Sequence, residues 1–169
     1  MSFYDDVIKV SPNFDSPDIC CDVTLLEPGT RLAVANPIAL AAKSGRILRV
    51  KETHRSTARQ FQMYEKGWSK LRHNGCHGWG LAVDFELYIN GVKHEEDEAF
   101  NFMPPLCKTV GLISGGDWGT PRKKHNFQDW DHVQRIPIFR QNEVFAEKWY
   151  PPESYNPLQD MIVHKVEGV

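Results

Sequence analysis

The 169-residue sequence has no apolar run approaching the roughly 18 residues of a membrane-spanning helix, so stable membrane insertion is not expected. It has only four cysteines, Cys20, Cys21, Cys76 and Cys107, and no pair spaced C-x-x-C. Adjacent Cys20 and Cys21 rarely bridge each other, so all four read as reduced thiols, as in a reducing cytosol. There is little net charge: 20 Lys and Arg oppose 22 Asp and Glu, leaving −2. Wholesale nucleic-acid binding is therefore not expected. The one tight basic run, Arg122-Lys123-Lys124, reads as a solvated loop. The acidic start, Met1-Ser2-Phe3-Tyr4-Asp5-Asp6, lacks the apolar segment of a signal peptide. The expectation is synthesis in the cytoplasm, with any substrate outside it reached only by other means.

What is present suits one globular domain over residues 1–169, with 41% hydrophobic and 25% charged residues. Residues 1–30 read as an irregular arm in which Pro28-Gly29 marks a turn. Residues 31–44 predict a helix, with Pro37 near its start and Gly45 as its stop. Arg46 to Lys51 alternates as a strand. Ser56 caps a helix from Thr57 to Lys66, stopped by Gly67, with Phe61 and Tyr64 on its inner face. Ala82 to Ile89 alternates as a second strand, and Asn90-Gly91 signals a hairpin. A further helix is expected from about Pro105 to Gly111. Gly115 to Gly119 reads as a turn, and His132 to Phe139 as a strand. The C-terminal arm, 140–169, reads as irregular, aromatic and Pro-rich between Trp149 and Pro157. The mixture is α+β, a small antiparallel sheet with helices packed on it.

Two stretches concentrate chemistry. Gly75-Cys76-His77-Gly78-Trp79-Gly80 leads into the strand that carries Asp84. Phe127-Gln128-Asp129-Trp130-Asp131-His132 leads into another. His77 and Asp84 are seven residues apart, an odd offset that would put them on opposite faces of a strand. A turn at Gly78-Trp79-Gly80 lets His77 fold back toward Asp84, and His132 can approach from a neighbouring strand. Two imidazoles and a carboxylate suit Zn²⁺ with one coordination position left open. Asp129 is the preferred free carboxylate for proton transfer. Asp131 is its rival, but as the neighbour of His132 on a strand it points away. His54, His73, His94, His125 and His164 read as ordinary histidines, and Cys76 as a small loop residue.

His77-x-x-Gly80-x-Ala82-x-Asp84 resembles the S-x-H-x-x-G-x-A-x-D signature of the M15 zinc peptidases. These are D-Ala-D-Ala carboxypeptidases and L-alanyl-D-glutamate peptidases, many of them phage endolysins. Asp129-x-x-His132 is similar to that family's second motif. Glu52-Thr53-His54-Arg55-Ser56 with Gln60, Tyr64 and Gly67 is similar to its upstream Arg-containing segment, and Gly115-Gly116-Asp117-Trp118 to its Gly-Gly-Asp-Trp turn. The likeness covers residues 45–135, in order. Gly75 stands where the motif has serine, and Asp129 where several relatives have Glu.

The resemblance implies a hedgehog/D-Ala-D-Ala-peptidase-like fold and zinc bound by His77, Asp84 and His132. It implies Asp129 as general base and then acid, and Arg55 polarising the scissile carbonyl. The implied substrate is the peptidoglycan stem peptide, most directly at L-alanyl-D-glutamate bonds by an endolysin that reaches the wall at lysis. Carboxypeptidase action on D-Ala-D-Ala is the alternative. A non-catalytic zinc module of hedgehog type is the alternative of another class, against which Asp129 and Arg55 both argue.

Overall fold

Strand β2, Ala82–Ile89, is the spine of the sheet. Its Val83, Phe85 and Leu87 are fully buried in the main core. In this computed structural model, which describes residues 2–118 and 128–164, strand β1, Arg46–Glu52, runs antiparallel along one edge of β2. The register holds from Arg46↔Ile89 to Val50↔Phe85, then shifts so that Glu52 meets Asp84. Asn90 and Gly91 both take positive φ, 52° and 80°, as a tight hairpin turn requires. They return the chain as β3, Val92–His94. The other end of β2, from Ala82 to Asp84, pairs with β5, His132–Gln134. Strand β5 in turn pairs with β4, Ile113–Ser114.

Helices α1, Pro28–Ala42, and α3, Met103–Thr109, cover the main core. Helix α1 begins three residues earlier than expected, and Pro28-Gly29 is its first turn rather than a separate one. Proline fits that position because its missing N–H would be unpaired there in any case. The Glu27 carboxylate supplies the cap, accepting from Gly29 N at 3.0 Å and Thr30 N at 2.8 Å. Pro37 sits inside the helix without ending it. Val34, Pro37 and Ala41 share the buried face, and that packing outweighs one lost backbone hydrogen bond.

Helix α2, Thr57–Glu65, is capped as expected by Ser56, whose Oγ accepts from Arg59 N at 3.0 Å. Its buried face carries Gln60 and Met63, whereas Tyr64 is exposed. The strand expected to reach Phe139 ends at Gln134, because Pro137 offers no donor to the ladder and instead starts α4, Ile138–Phe145. The C-terminal arm is thus not irregular throughout: it holds most of α4 and all of α5, Pro157–Val163. The basic run at 122–124 and the end of the Gly115 turn lie outside the described residues. The four cysteines are free thiols.

A second core gathers Cys76, Trp79, Leu81, Ala82, Ile136 and Val144, with Tyr4, Trp149, Tyr150 and Tyr155 packed against it. The Tyr4 ring stacks on Trp79 at 3.9 Å, and Tyr150 Oη donates to Trp79 O at 2.8 Å. Both chain ends therefore grip the turn that carries His77. Arg135 locks the same junction. It is buried, ion-paired with buried Glu27, and its Nη2 donates to the carbonyls of Pro152, at 3.0 Å, and Tyr155, at 3.2 Å. Removing one partner of a buried ion pair strands the other charge. Arg135→Ala is expected to lose about 3–5 kcal/mol of stability, read as a fall in urea midpoint. Lys9→Ala, at the exposed Lys9–Asp5 pair, should leave the midpoint near its starting value.

Candidate metal centre

Three adjacent strands set three side chains in a row at one end of the sheet. Glu52 of β1 faces Asp84 of β2, and Asp84 faces His132 of β5. Residues directly opposite on neighbouring strands share a face. His77 comes from the 3-10 turn Cys76–Trp79, which ends at Gly80 in the left-handed region, φ 68°. Glycine is required there twice over. It accepts that φ without strain, and a Cβ would lie 2.5 Å from Leu25 O. The turn resolves the odd spacing of His77 and Asp84.

The three side chains converge. His77 Nε2 lies 3.0 Å from Asp84 Oδ1 and 3.2 Å from His132 Nδ1, and His132 Nδ1 lies 2.9 Å from Asp84 Oδ1. All three residues are buried. The outer nitrogens fix which lone pairs point inward. His77 Nδ1 faces Thr53 O at 2.9 Å, and a carbonyl only accepts, so Nδ1 carries the proton and neutral Nε2 is bare. His132 Nε2 faces Gln134 Oε1 at 3.1 Å, and the Gln134 amide donates its own N–H to Ile136 O at 2.5 Å. His132 therefore presents a bare Nδ1. Two nitrogen lone pairs and a carboxylate oxygen meet at a triangle with no donor between them. A tetrahedral site with bonds of about 2.0–2.1 Å has edges near ~3.3 Å, and the triangle fits that size. The donor set suits Zn²⁺, leaving one position for solvent or substrate.

Burial alone would lower the His132 pKa, but the Asp84 hydrogen bond and charge leave it raised. Burial, aided by Arg55, lowers His77. Burial would raise Asp84, yet His77, His132 and Arg55 hold it well below the usual carboxylate range. Arg55 binds the other side of Asp84, with Nη2 2.7 Å from Oδ2. Glu52 holds Arg55 through Nε at 2.9 Å and Arg59 at 3.0 Å. Asp84 is left one oxygen for the triangle.

Asp129 shares a cavity of about 210 Å³ with Arg55, His77 and His132. Its backbone is held against Gly115, with Asp129 N donating to Gly115 O at 3.3 Å, and the Trp130 ring lies over Gly116. A side chain at either glycine would collide with that segment, which gives the Gly115-Gly116 pair its physical reason. Burial first, and then the charge of Asp84, push the Asp129 pKa up to about 8. Asp131 instead points to Lys51, at 2.6 Å. Cys76 packs in the second core at the edge of this cavity, where its sulfur accepts from Gln141 Nε2 at 3.4 Å and burial pushes its thiol up to about 12. At Gly75, a Cβ would stand 3.1 Å from Gln60 Oε1, so the space near the motif serine is taken by Gln60.

All five candidate residues thus come together: His77, Asp84 and His132 in the triangle, Arg55 and Asp129 on its cavity. Two contributors were missed. Glu52 stands at a strand end three residues before Arg55, a spacing that allows an ion pair. Gln134 lies two after His132, the period that puts both on one strand face.

No family model matches the chain. Among solved structures, it is similar in fold to the L-Ala D-Glu endopeptidase ChiX of Serratia marcescens. The TM-score is 0.52 at 23% identity, over 67% of this chain and 82% of that one. The vancomycin-resistance D,D-pentapeptidase VanY, as an E175A mutant in complex with Zn(II), aligns at TM-score 0.49 and 15% identity, over 72% and 78%. The LdcB LD-carboxypeptidase aligns at 0.49 and 18%, over 74% and 70%.

Competitive zinc titration is expected to find binding lost in His77→Ala and His132→Ala. Gln134→Leu should weaken it about 10–100-fold by freeing the His132 ring, and Gln134→Glu should restore most of it. Zinc affinity should fall with falling pH, as a proton claims His132 Nδ1.

Proposed function

We propose that this chain is a zinc-dependent peptidase of bacterial peptidoglycan, an L-alanyl-D-glutamate endopeptidase of endolysin type. The observation that carries the reading is the buried His77–Asp84–His132 triangle sharing one cavity with Asp129 and Arg55. The fold it has in common with an L-Ala D-Glu endopeptidase supports the substrate class. Endo cleavage is supported by the shape of the cleft. A second cavity of about 410 Å³, lined by Lys51, Lys93 and Trp130, meets the first at Asp129 and Trp68. A chain can therefore continue past the reacting bond. The protein would be made in the cytoplasm and meet the wall when the cell lyses.

His77, Asp84 and His132 would hold the metal. When bound, zinc supplies a Lewis acid for the scissile carbonyl and lets water ionise near pH 7, about nine units below its usual value. Asp129 takes the proton of the attacking water and passes it to the leaving amine. A carboxyl whose pKa burial has raised is a stronger base than an exposed one and lies nearer the working pH. Arg55 lines the same cavity, and its charge opposes the negative charge growing on the carbonyl oxygen. Such a fixed cation is worth about 3–4 kcal/mol. Glu52 and Asp84 already fix its guanidinium, so little reorganisation accompanies the reaction.

The test is zinc-loaded protein on intact peptidoglycan, with and without chelator, and mass spectrometry of the fragments. New amino groups on D-Glu are expected. Release of single D-Ala would favour the carboxypeptidase, and no cleavage at all would sink both. Asp129→Asn should keep zinc affinity while turnover falls about 10²–10⁴-fold. Near-full activity in that variant would move the base elsewhere. Because Asp129 must start as a carboxylate, kcat/KM should drop as pH falls through its pKa.

A further inference from the structure

We infer that Trp68 is a specificity residue, a stacking platform for the amino sugar that carries the stem peptide. The inference rests on the endopeptidase reading and adds a saccharide to its substrate.

Trp68 is 62% exposed, an unusual position for the largest apolar side chain. It lines both cavities of the cleft, on the same lip as Leu71, and Ile138 faces the first cavity as well. The lip is a built element. Trp68 N and Ser69 N both donate to Met63 O, at 2.9 and 3.2 Å. Buried Gln60 reaches across from α2 and donates to Ser69 Oγ at 2.8 Å and Leu71 O at 2.5 Å. The Lys66 ammonium sits over the indole, 4.9 Å from the ring centroid. The backbone of Trp68 is therefore fixed at the mouth of the cleft, and its ring stays largely open to solvent.

An exposed indole offers a flat, electron-rich face on the side away from Lys66, and the C–H-bearing face of a pyranose is the complement of such a surface. The position also suits one particular bond. In peptidoglycan the sugar's lactyl group is joined to the nitrogen of L-Ala, so the L-Ala–D-Glu carbonyl lies one residue from it. A D-Ala–D-Ala bond lies four residues away, about 13 Å along an extended chain. An aromatic platform lining the same cavity as Asp129 and His77 is placed to meet the sugar when cleavage is close to it.

The experiment compares two substrates with the zinc-loaded full chain: a disaccharide-linked stem peptide, and the same peptide bearing an N-acetyl group in place of the sugar. Trp68→Ala is expected to raise KM about tenfold on the first with kcat little changed, and to leave the second unaffected. Trp68→Phe should recover most of the loss. Equal losses on both substrates, or none on either, would overturn the proposal. If wild-type protein cleaves neither substrate, the endopeptidase reading fails on its own account. Binding of the peptide-free disaccharide to chelator-treated protein then decides about Trp68. A weaker affinity in Trp68→Ala than in wild type supports the platform, and equal affinity or no binding overturns it.

Discussion

The Asp84 carboxylate is the constraint on which the site depends. It is buried, and its two oxygens have different partners: Oδ1 meets His77 and His132, Oδ2 meets Arg55. A buried anion is tolerated only when hydrogen bonds and opposite charge replace the water it has lost. Those partners must then be supplied by three separate segments. The strand register sets His132 opposite Asp84 and brings Glu52, which holds Arg55, to its other side, while the Cys76–Trp79 turn supplies His77. Glu52 and Asp84 are balanced by Arg55 and Arg59, so the inward-facing lone pairs remain for a cation.

Rigidity comes from outside the site. The turn carrying His77 is short, and turns of that kind are soft on their own. Here Tyr4 packs on one part of it and Tyr150 holds another, while Arg135 ties Glu27 to the C-terminal arm. The two ends of the chain thus serve the histidine, and the second core gives them the apolar area to stay in place. A metal site needs its ligands held to a fraction of an ångström, and that precision is bought with packing remote from the ligands.

The departure at Gly75 belongs to the same design. Gln60 occupies the adjoining space and uses its amide to hold the lip at Ser69 and Leu71. One buried glutamine therefore links the floor of the cleft to its rim. Arg55, Asp129 and Trp68 face a shared space whose walls come from α2, the His77 turn, β5 and α4.

Local signals in the sequence were enough for the elements whose stability is local. The Asn90-Gly91 hairpin, the Ser56 cap and the alternation of β2 all follow from backbone preferences of a few residues. The histidine and carboxylate spacing likewise marked His77, Asp84, Asp129 and His132, while Arg55 came only from the family resemblance. What the tertiary structure decided was set by distant partners. Pro37 stays helical because of the core beneath it, and Gln60 and Met63 rather than Phe61 and Tyr64 are the buried residues of α2, with Gln60 bonded to Ser69 and Leu71 beyond the helix. Pro137 ended a strand whose apolar pattern ran on to Phe139. The inward lone pairs of His77 and His132 depend on Thr53 O and Gln134 Oε1, and the Thr53 contact spans 24 positions of sequence. Composition and spacing fix which groups are available. Only the register of three strands and the grip of the two arms determine that those groups share one point in space.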